Sequence, residues 1–143
     1  MKIFKHVKTI DAIGNAIETF VVEYPRLIHS EMLTHRVFSR NSASSRAIPV
    51  GKMTEIPDYI PVELYKNCKG MQGKELLSPI KTFIARLVIK AMHLTSKFGT
   101  YILNKLEVHK QHTNRYLEPY KMIQVIITST EWENFFALRC PQY

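Results

Sequence analysis

The feature that most constrains this chain is a run of about thirty residues, from Ser78-Pro79 to about residue 108, that keeps one helical period throughout. Ile80, Phe83, Ile84, Leu87, Val88, Met92, Leu94, Tyr101, Ile102 and Leu106 recur at spacings that gather them on one side of a helix. Ser78 is a suitable capping residue, and Pro79 suits the first helical position, where its missing N–H removes no bond. Thirty residues span about 45 Å. That exceeds what a small domain needs, so the helix is expected to pack against another subunit. Gly99 is a place where it can bend.

The remaining patterns are shorter. Residues 2–10 and 16–23 alternate and are rich in β-branched side chains, with Asp11-Ala-Ile-Gly14-Asn15 between them, which predicts a β-hairpin. Tyr24-Pro25 ends the second strand. Leu27, Ile28, Met32 and Leu33 then predict a helix from Arg26 to about His35. Residues 38–51 read as an ordered or ligand-ordered loop, and residues 52–77 as irregular structure with a short helix at 62–67. Residues 121–128 read as a strand, and Thr130-Glu-Trp-Glu133 as a capping box opening a last helix, ENFFALR. The expected fold is α/β of the α+β kind, a small antiparallel sheet packed with long helices in a single domain over residues 1–143. Phe135, Phe136 and Leu138 need a surface to pack on, yet the sequence stops four residues after Arg139. This predicts a truncated chain or a split gene.

No run approaches the roughly 20 apolar residues of a membrane span, and the N-terminus lacks the hydrophobic core of a signal peptide. A cytoplasmic protein without membrane contact is expected. Cys68 and Cys140 are too few for a disulfide framework and lack zinc-site spacing. Twenty basic residues against 12 acidic ones give a net charge of +8. Such an excess favours anionic partners. Four of the seven arginines, Arg26, Arg36, Arg40 and Arg46, fall within 21 residues with Glu31 the sole acid among them. Clustered guanidinium groups suit bidentate phosphate contacts, which points to a pocket more than to a nucleic-acid face. A solvated basic surface is the alternative.

The stretch from Pro25 to Pro49 reads PRLIHSEMLTHRVFSRNSASSRAIP. A helix here delivers Glu31 and His35 one turn apart. The following loop offers Ser39, Asn41, Ser42, Ser44 and Ser45 with Arg40 and Arg46, a phosphate cradle of hydroxyls and guanidinium groups or else a polar turn. His109 and His112 have metal-like i, i+3 spacing but no third ligand, so a structural role is expected and no metal. Trp132, Phe135 and Phe136 suit base or flavin stacking, yet aromatics at helical spacing are more often core.

THRVFSRNSASSRAIP resembles the signature of the flavin-dependent thymidylate synthases, in particular their phage-type branch. GMQGKEL at 70–76, HKQHTNRYLEP at 109–119 and TSTEWENFFALR at 128–139 follow in that family's order. The resemblance runs from residue 2 to 139. It implies a homotetramer with active sites between subunits, binding FAD, deoxyuridine monophosphate, methylene-tetrahydrofolate and NADPH, and methylating dUMP to dTMP at C5. Thr34, His35, Arg36, Asn41 and Asn134 correspond to flavin contacts. Glu31, Ser42, Ser44, Ser45, Arg46 and Arg115 correspond to nucleotide contacts. Arg139 corresponds to the catalytic arginine that favours ionisation at N3 of the uracil, as a fixed cation does for developing negative charge.

Thr34 stands where the family's first motif arginine is common, and nothing here matches the family's later A-Q-x-E-I element. Two other functions therefore stand beside the synthase. One is a truncated, inactive relative that binds nucleotide, flavin or nucleic acid. The other is a related enzyme modifying C5 of a different pyrimidine.

Overall fold

The computed structural model describes residues 2–70, 73–133 and 135–136. These fall into two compact units, one containing Met1–Ser44 with Met122–Tyr143 and the other Ser45–Lys121.

The first unit is built on one antiparallel sheet. Strand β1 (Lys2–Ile10) pairs with β2 (Ala16–Pro25), β2 with β4 (Met122–Ser129), and β4 with β3 (Ser39–Ser42). The spatial order is β1-β2-β4-β3. The expected hairpin is present, and its turn is held by Asp11. One Asp11 carboxylate oxygen accepts from the backbone N–H of Ile13 (3.0 Å) and of Asn15 (2.8 Å), while the Asn15 amide donates to the other (2.9 Å). Gly14 sits at φ 91°, a conformation glycine adopts without a Cβ penalty. Along β4, burial alternates with period two, so Ile123, Val125 and Ile127 point inward. With Val22, Tyr24 and Phe38 they form the core, and Phe20, Met32, Trp132 and Phe135 pack on it. Trp132 and Phe135 are thus core aromatics.

After a single 3₁₀ turn at Arg26–Ile28, helix α1 covers only His29–Leu33. This is shorter than the expected helix reaching His35. Residues 38–51 also differ from the expected loop. Ser39–Ser42 pairs with Val125–Thr128 as an edge strand, and Val50–Glu55 forms helix α2. The sequence SRNS holds no apolar residue, so alternation cannot reveal a strand that depends on its neighbour's ladder.

In the second unit the main element is α3 (Pro79–Lys105), continuous through Gly99. Pro79 takes the first helical turn as expected, but the Ser78 side chain makes no capping bond. Beyond Lys105 the chain leaves the helix in a Schellman turn. Val108 N–H donates to Leu103 O (3.0 Å), Glu107 N–H donates to Asn104 O (3.1 Å), and Glu107 takes φ 58°. The inward face of α3 is largely polar, with His93 and Thr100 buried. Its apolar face is exposed: Ile80, Phe83, Leu94 and Phe98 each keep more than 60% of their surface.

The expected short helix at 62–67 is absent. Tyr65 and Leu76 instead form an antiparallel bridge, with Lys66 N–H donating to Glu75 O and Leu77 N–H to Leu64 O. Gly73 lies so near this bridge that a Cβ there would collide with the Tyr65 Cβ. Lys121, fully buried, closes the unit. Its Nζ donates to Thr54 O (2.9 Å) and Ile56 O (2.7 Å) and meets the Asp58 carboxylate at 2.7 Å. Asp58 also holds Lys97 at 2.6 Å, and His93, stacked on Tyr120, lies 3.4 Å away. The architecture is the α+β one expected.

Candidate functional site

In the first unit the motif THR follows directly on α1. Thr34 Oγ1 donates to Glu31 O (2.7 Å), and His35 N–H donates to Met32 O (3.3 Å). Arg40 braces this turn from β3. One of its terminal nitrogens donates to Met32 O (2.6 Å) and His35 O (2.8 Å). It adds a donor to carbonyls that hold long backbone bonds from His35 N–H (3.3 Å) and Phe38 N–H (3.4 Å) at the end of this short helix. Arg40 is therefore engaged with backbone, a role its place beside Arg46 in the sequence did not suggest. The His35 ring is half-buried and meets Phe38 and Phe135 at 5.8 and 5.6 Å between centroids. Phe38 stacks in turn on Trp132 at 4.7 Å. This aromatic wall holds His35 in place.

Glu31, Thr34 and Arg36 are exposed around it, as is Asn41 on β3. Ser42 is half-buried and Ser44 exposed. The side chains of Arg36 and Asn41 form no hydrogen bond among the described residues. The arrangement offers cationic, amide and carboxylate groups to solvent from a rigid aromatic base.

In the second unit Ser45 is buried and Arg46 exposed, on a turn that precedes α2. Helix α4 (Lys110–Thr113) and the 3₁₀ turn Asn114–Tyr116 carry Arg115, also exposed. Asn114 ties these segments together. Its amide nitrogen donates to Ser45 O (2.9 Å) and Ile48 O (2.8 Å), while Lys110 Nζ donates to Ala47 O (3.4 Å). Two guanidinium groups 69 positions apart in sequence are thereby carried on segments fixed to each other. Two such groups suit a phosphate.

His109 acts as the cap of α4, its ring accepting from Gln111 N–H (3.3 Å). No group of three or more metal-ligating side chains occurs among the described residues. Within the described residues no helix is long and apolar enough to cross a membrane. Asn134, Arg139 and Cys140 lie outside the described residues, as do Met71 and Gln72 of the GMQGKEL motif. Sequence reasoning missed Asn114 and Arg40 as organisers of these segments. Asn114 lies within a quoted motif, but an asparagine that binds remote carbonyls leaves no spacing signal.

No protein-family profile matches this sequence, and a search of curated proteins finds no match. Its fold is similar to that of a solved UMP/dUMP methylase, PolB from Streptomyces cacaoi, bound with 5-Br UMP. The TM-score is 0.65 with 15% sequence identity over 80% of this chain. The chain spans about half of that protein's length, the match covering 50% of it.

Proposed function

We propose that this protein acts in C5 methylation of a pyrimidine nucleotide, with dUMP as substrate and dTMP as product. The observation that carries the reading is the pair of exposed arginines, Arg46 and Arg115, on segments fixed to each other by buried hydrogen bonds. Fixed guanidinium groups bind a phosphate monoester by charge-assisted, paired hydrogen bonds. Likeness of fold to a UMP/dUMP methylase supports the choice of a uridylate over other phosphate esters.

In this reading the phosphate rests on Arg46 and Arg115. FAD is the implied cofactor, and the donor set of the first unit fits it. Arg36 supplies a cation for the diphosphate, Asn41 an amide for a polar edge, and the braced turn at Thr34–His35 a fixed backbone. When bound and reduced, FAD supplies the hydride of the reductive methylation, with methylene-tetrahydrofolate supplying the carbon and NADPH the reducing equivalents. The chain's own residues bind and orient. His35, supported by Phe38 and Phe135, keeps one ring position, and Glu31 offers a carboxylate to a nucleotide hydroxyl or N–H. Arg139 is the proposed group that stabilises negative charge on the pyrimidine.

The protein is proposed to work as a homo-oligomer through α3. Ile80, Ile84, Leu87, Ala91, Leu94, Phe98 and Tyr101 follow a repeating four–three spacing and are all exposed, the pattern of a helix–helix seam. Leu94→Asp should then yield a smaller species in analytical ultracentrifugation than the unaltered chain. The second reading is methylation of the ribonucleotide UMP, favoured by the breadth of substrate in the PolB name. Both are tested by incubating the full chain with FAD, NADPH, methylene-tetrahydrofolate and either dUMP or UMP tritiated at C5. Release of tritium to water from dUMP supports the first reading, and from UMP alone the second. Release from neither, with the protein folded, rejects the activity.

A further inference from the structure

Asn114 is completely buried, and both hydrogens of its amide are engaged, one on Ser45 O and one on Ile48 O. These carbonyls flank Arg46 and Ala47, so two bonds from a single side chain bracket the turn that displays Arg46. Lys110, one turn earlier on α4, reaches the Ala47 carbonyl between them. Three of the turn's carbonyl groups, those of Ser45, Ala47 and Ile48, are thus held by Asn114 and Lys110. Meanwhile Asn114 precedes Arg115 directly, so its backbone also sets where that guanidinium begins. The Asn114 Oδ1 is buried and has no hydrogen-bond partner among the described residues. A buried acceptor without a partner carries a desolvation cost, which makes this residue a poor choice for stability alone.

We infer that Asn114 is a positioning residue for phosphate binding, fixing the Arg46 turn at a set distance from Arg115 so that both guanidinium groups meet one phosphate. This rests on the proposed reading of Arg46 and Arg115 as phosphate ligands. The arginine side chains themselves are exposed and long, and only a fixed backbone gives them a common target. Fixing them beforehand removes ordering cost from the binding step. An aspartate of the same shape could not serve, because it would set a carboxylate oxygen against two carbonyl oxygens.

The test is a double-variant cycle on the full chain, read by calorimetric affinity for dUMP against deoxyuridine. This ratio isolates the phosphate contribution, which a general loss of stability would not selectively change. Arg46→Ala should lower the ratio roughly tenfold or more, as loss of a charge-assisted bond implies. Asn114→Ala should lower it by a similar factor, and the double variant should fall no further, since both act through one contact. Additive losses, or an Asn114→Ala variant with an unchanged ratio, would overturn the inference.

Two further measurements separate the pin from the nucleotide reading. In the unaltered protein the Asn114 side-chain amide protons should exchange with solvent at least about tenfold more slowly than those of exposed Asn15, because both are hydrogen-bonded inside the fold. Trypsin should cut after Arg46 faster in Asn114→Ala while cutting after Lys66 at the same rate. If the unaltered chain shows no preference for dUMP over deoxyuridine, the nucleotide reading fails and the phosphate role of Asn114 with it. If its amide protons exchange freely, the pin itself is wrong, and no variant is needed to see it.

Discussion

Replacing Lys121 by methionine should destabilise the protein by about 3 kcal/mol, because it breaks a buried ion pair from one side. Lys121 is wholly buried, and its ammonium serves two backbone carbonyls, of Thr54 and Ile56, besides the Asp58 carboxylate. Methionine matches the stem in volume and would keep the packing. It would also remove the donor shared by those carbonyls and leave Asp58 with Lys97 as its remaining lysine. Losing one partner of a buried pair costs roughly 3–5 kcal/mol. The lower end applies here, since Asp58 is one-third exposed and keeps Lys97 at 2.6 Å. For a chain of this size about 3 kcal/mol corresponds to a fall in melting temperature of roughly 6–12 °C. Urea unfolding followed by circular dichroism at pH 7 measures the change. A loss below about 1 kcal/mol, the value of an exposed ion pair, would refute the reasoning.

Other outcomes follow from the same unit. Burial, reinforced by repulsion from Lys97 and Lys121 and opposed by Asp58, holds the His93 imidazole below its ordinary value of 6.5. The unfolded chain then binds the extra proton first, so stability should fall as pH drops below about 6.5 and level off under the folded value. Urea midpoints from pH 8 to 5 should show this slope, and His93→Gln should flatten it. Burial pushes the Asp58 carboxyl up, but its hydrogen bonds to Lys121 and Lys97 and the nearby charges hold it below 3.8 overall. Its contribution is therefore present above 3.8 and lost as pH falls through the folded value, and Lys121→Met should shrink that acid-range loss. Glu107, at φ 58° in the Schellman turn after α3, should accept glycine with a gain of up to about 1 kcal/mol, because relief of left-handed strain outweighs added chain entropy. Thermal melting of Glu107→Gly checks it, and a drop would count against that turn geometry.

The parts of this fold legible in the sequence are those whose order is local. The hairpin shows in alternation and in Asp11-Ala-Ile-Gly-Asn15, and α3 shows in twenty-seven residues of one period. The breadth of α3's apolar face was legible too, although which face the unit covers was not. Its inward side is closed by His93, Thr100 and an ion-pair cluster that no hydropathy pattern announces. What failed were elements maintained from elsewhere. Strand β3 exists because β4 offers a ladder, and the 62–67 segment bridges to Leu76 instead of coiling. Among the candidate site residues, the clustered motif singles out His35, Arg36 and Arg46, while Arg115 comes from the family resemblance alone. Neither could show that Arg40 faces backbone carbonyls or that Asn114 holds the Arg46 turn, because both depend on partners brought together by folding.

The central claim is that the fixed pair Arg46 and Arg115 recognises the phosphate of a uridylate. Calorimetric titration of the full chain with dUMP and with deoxyuridine tests it most directly. Binding of dUMP should be tighter by at least roughly a hundredfold, two charge-assisted contacts of about 1.5 kcal/mol each, and the advantage should shrink by about half on a logarithmic scale in Arg115→Ala. Equal affinities for the two ligands, or a dUMP advantage untouched by loss of either arginine, would contradict the account.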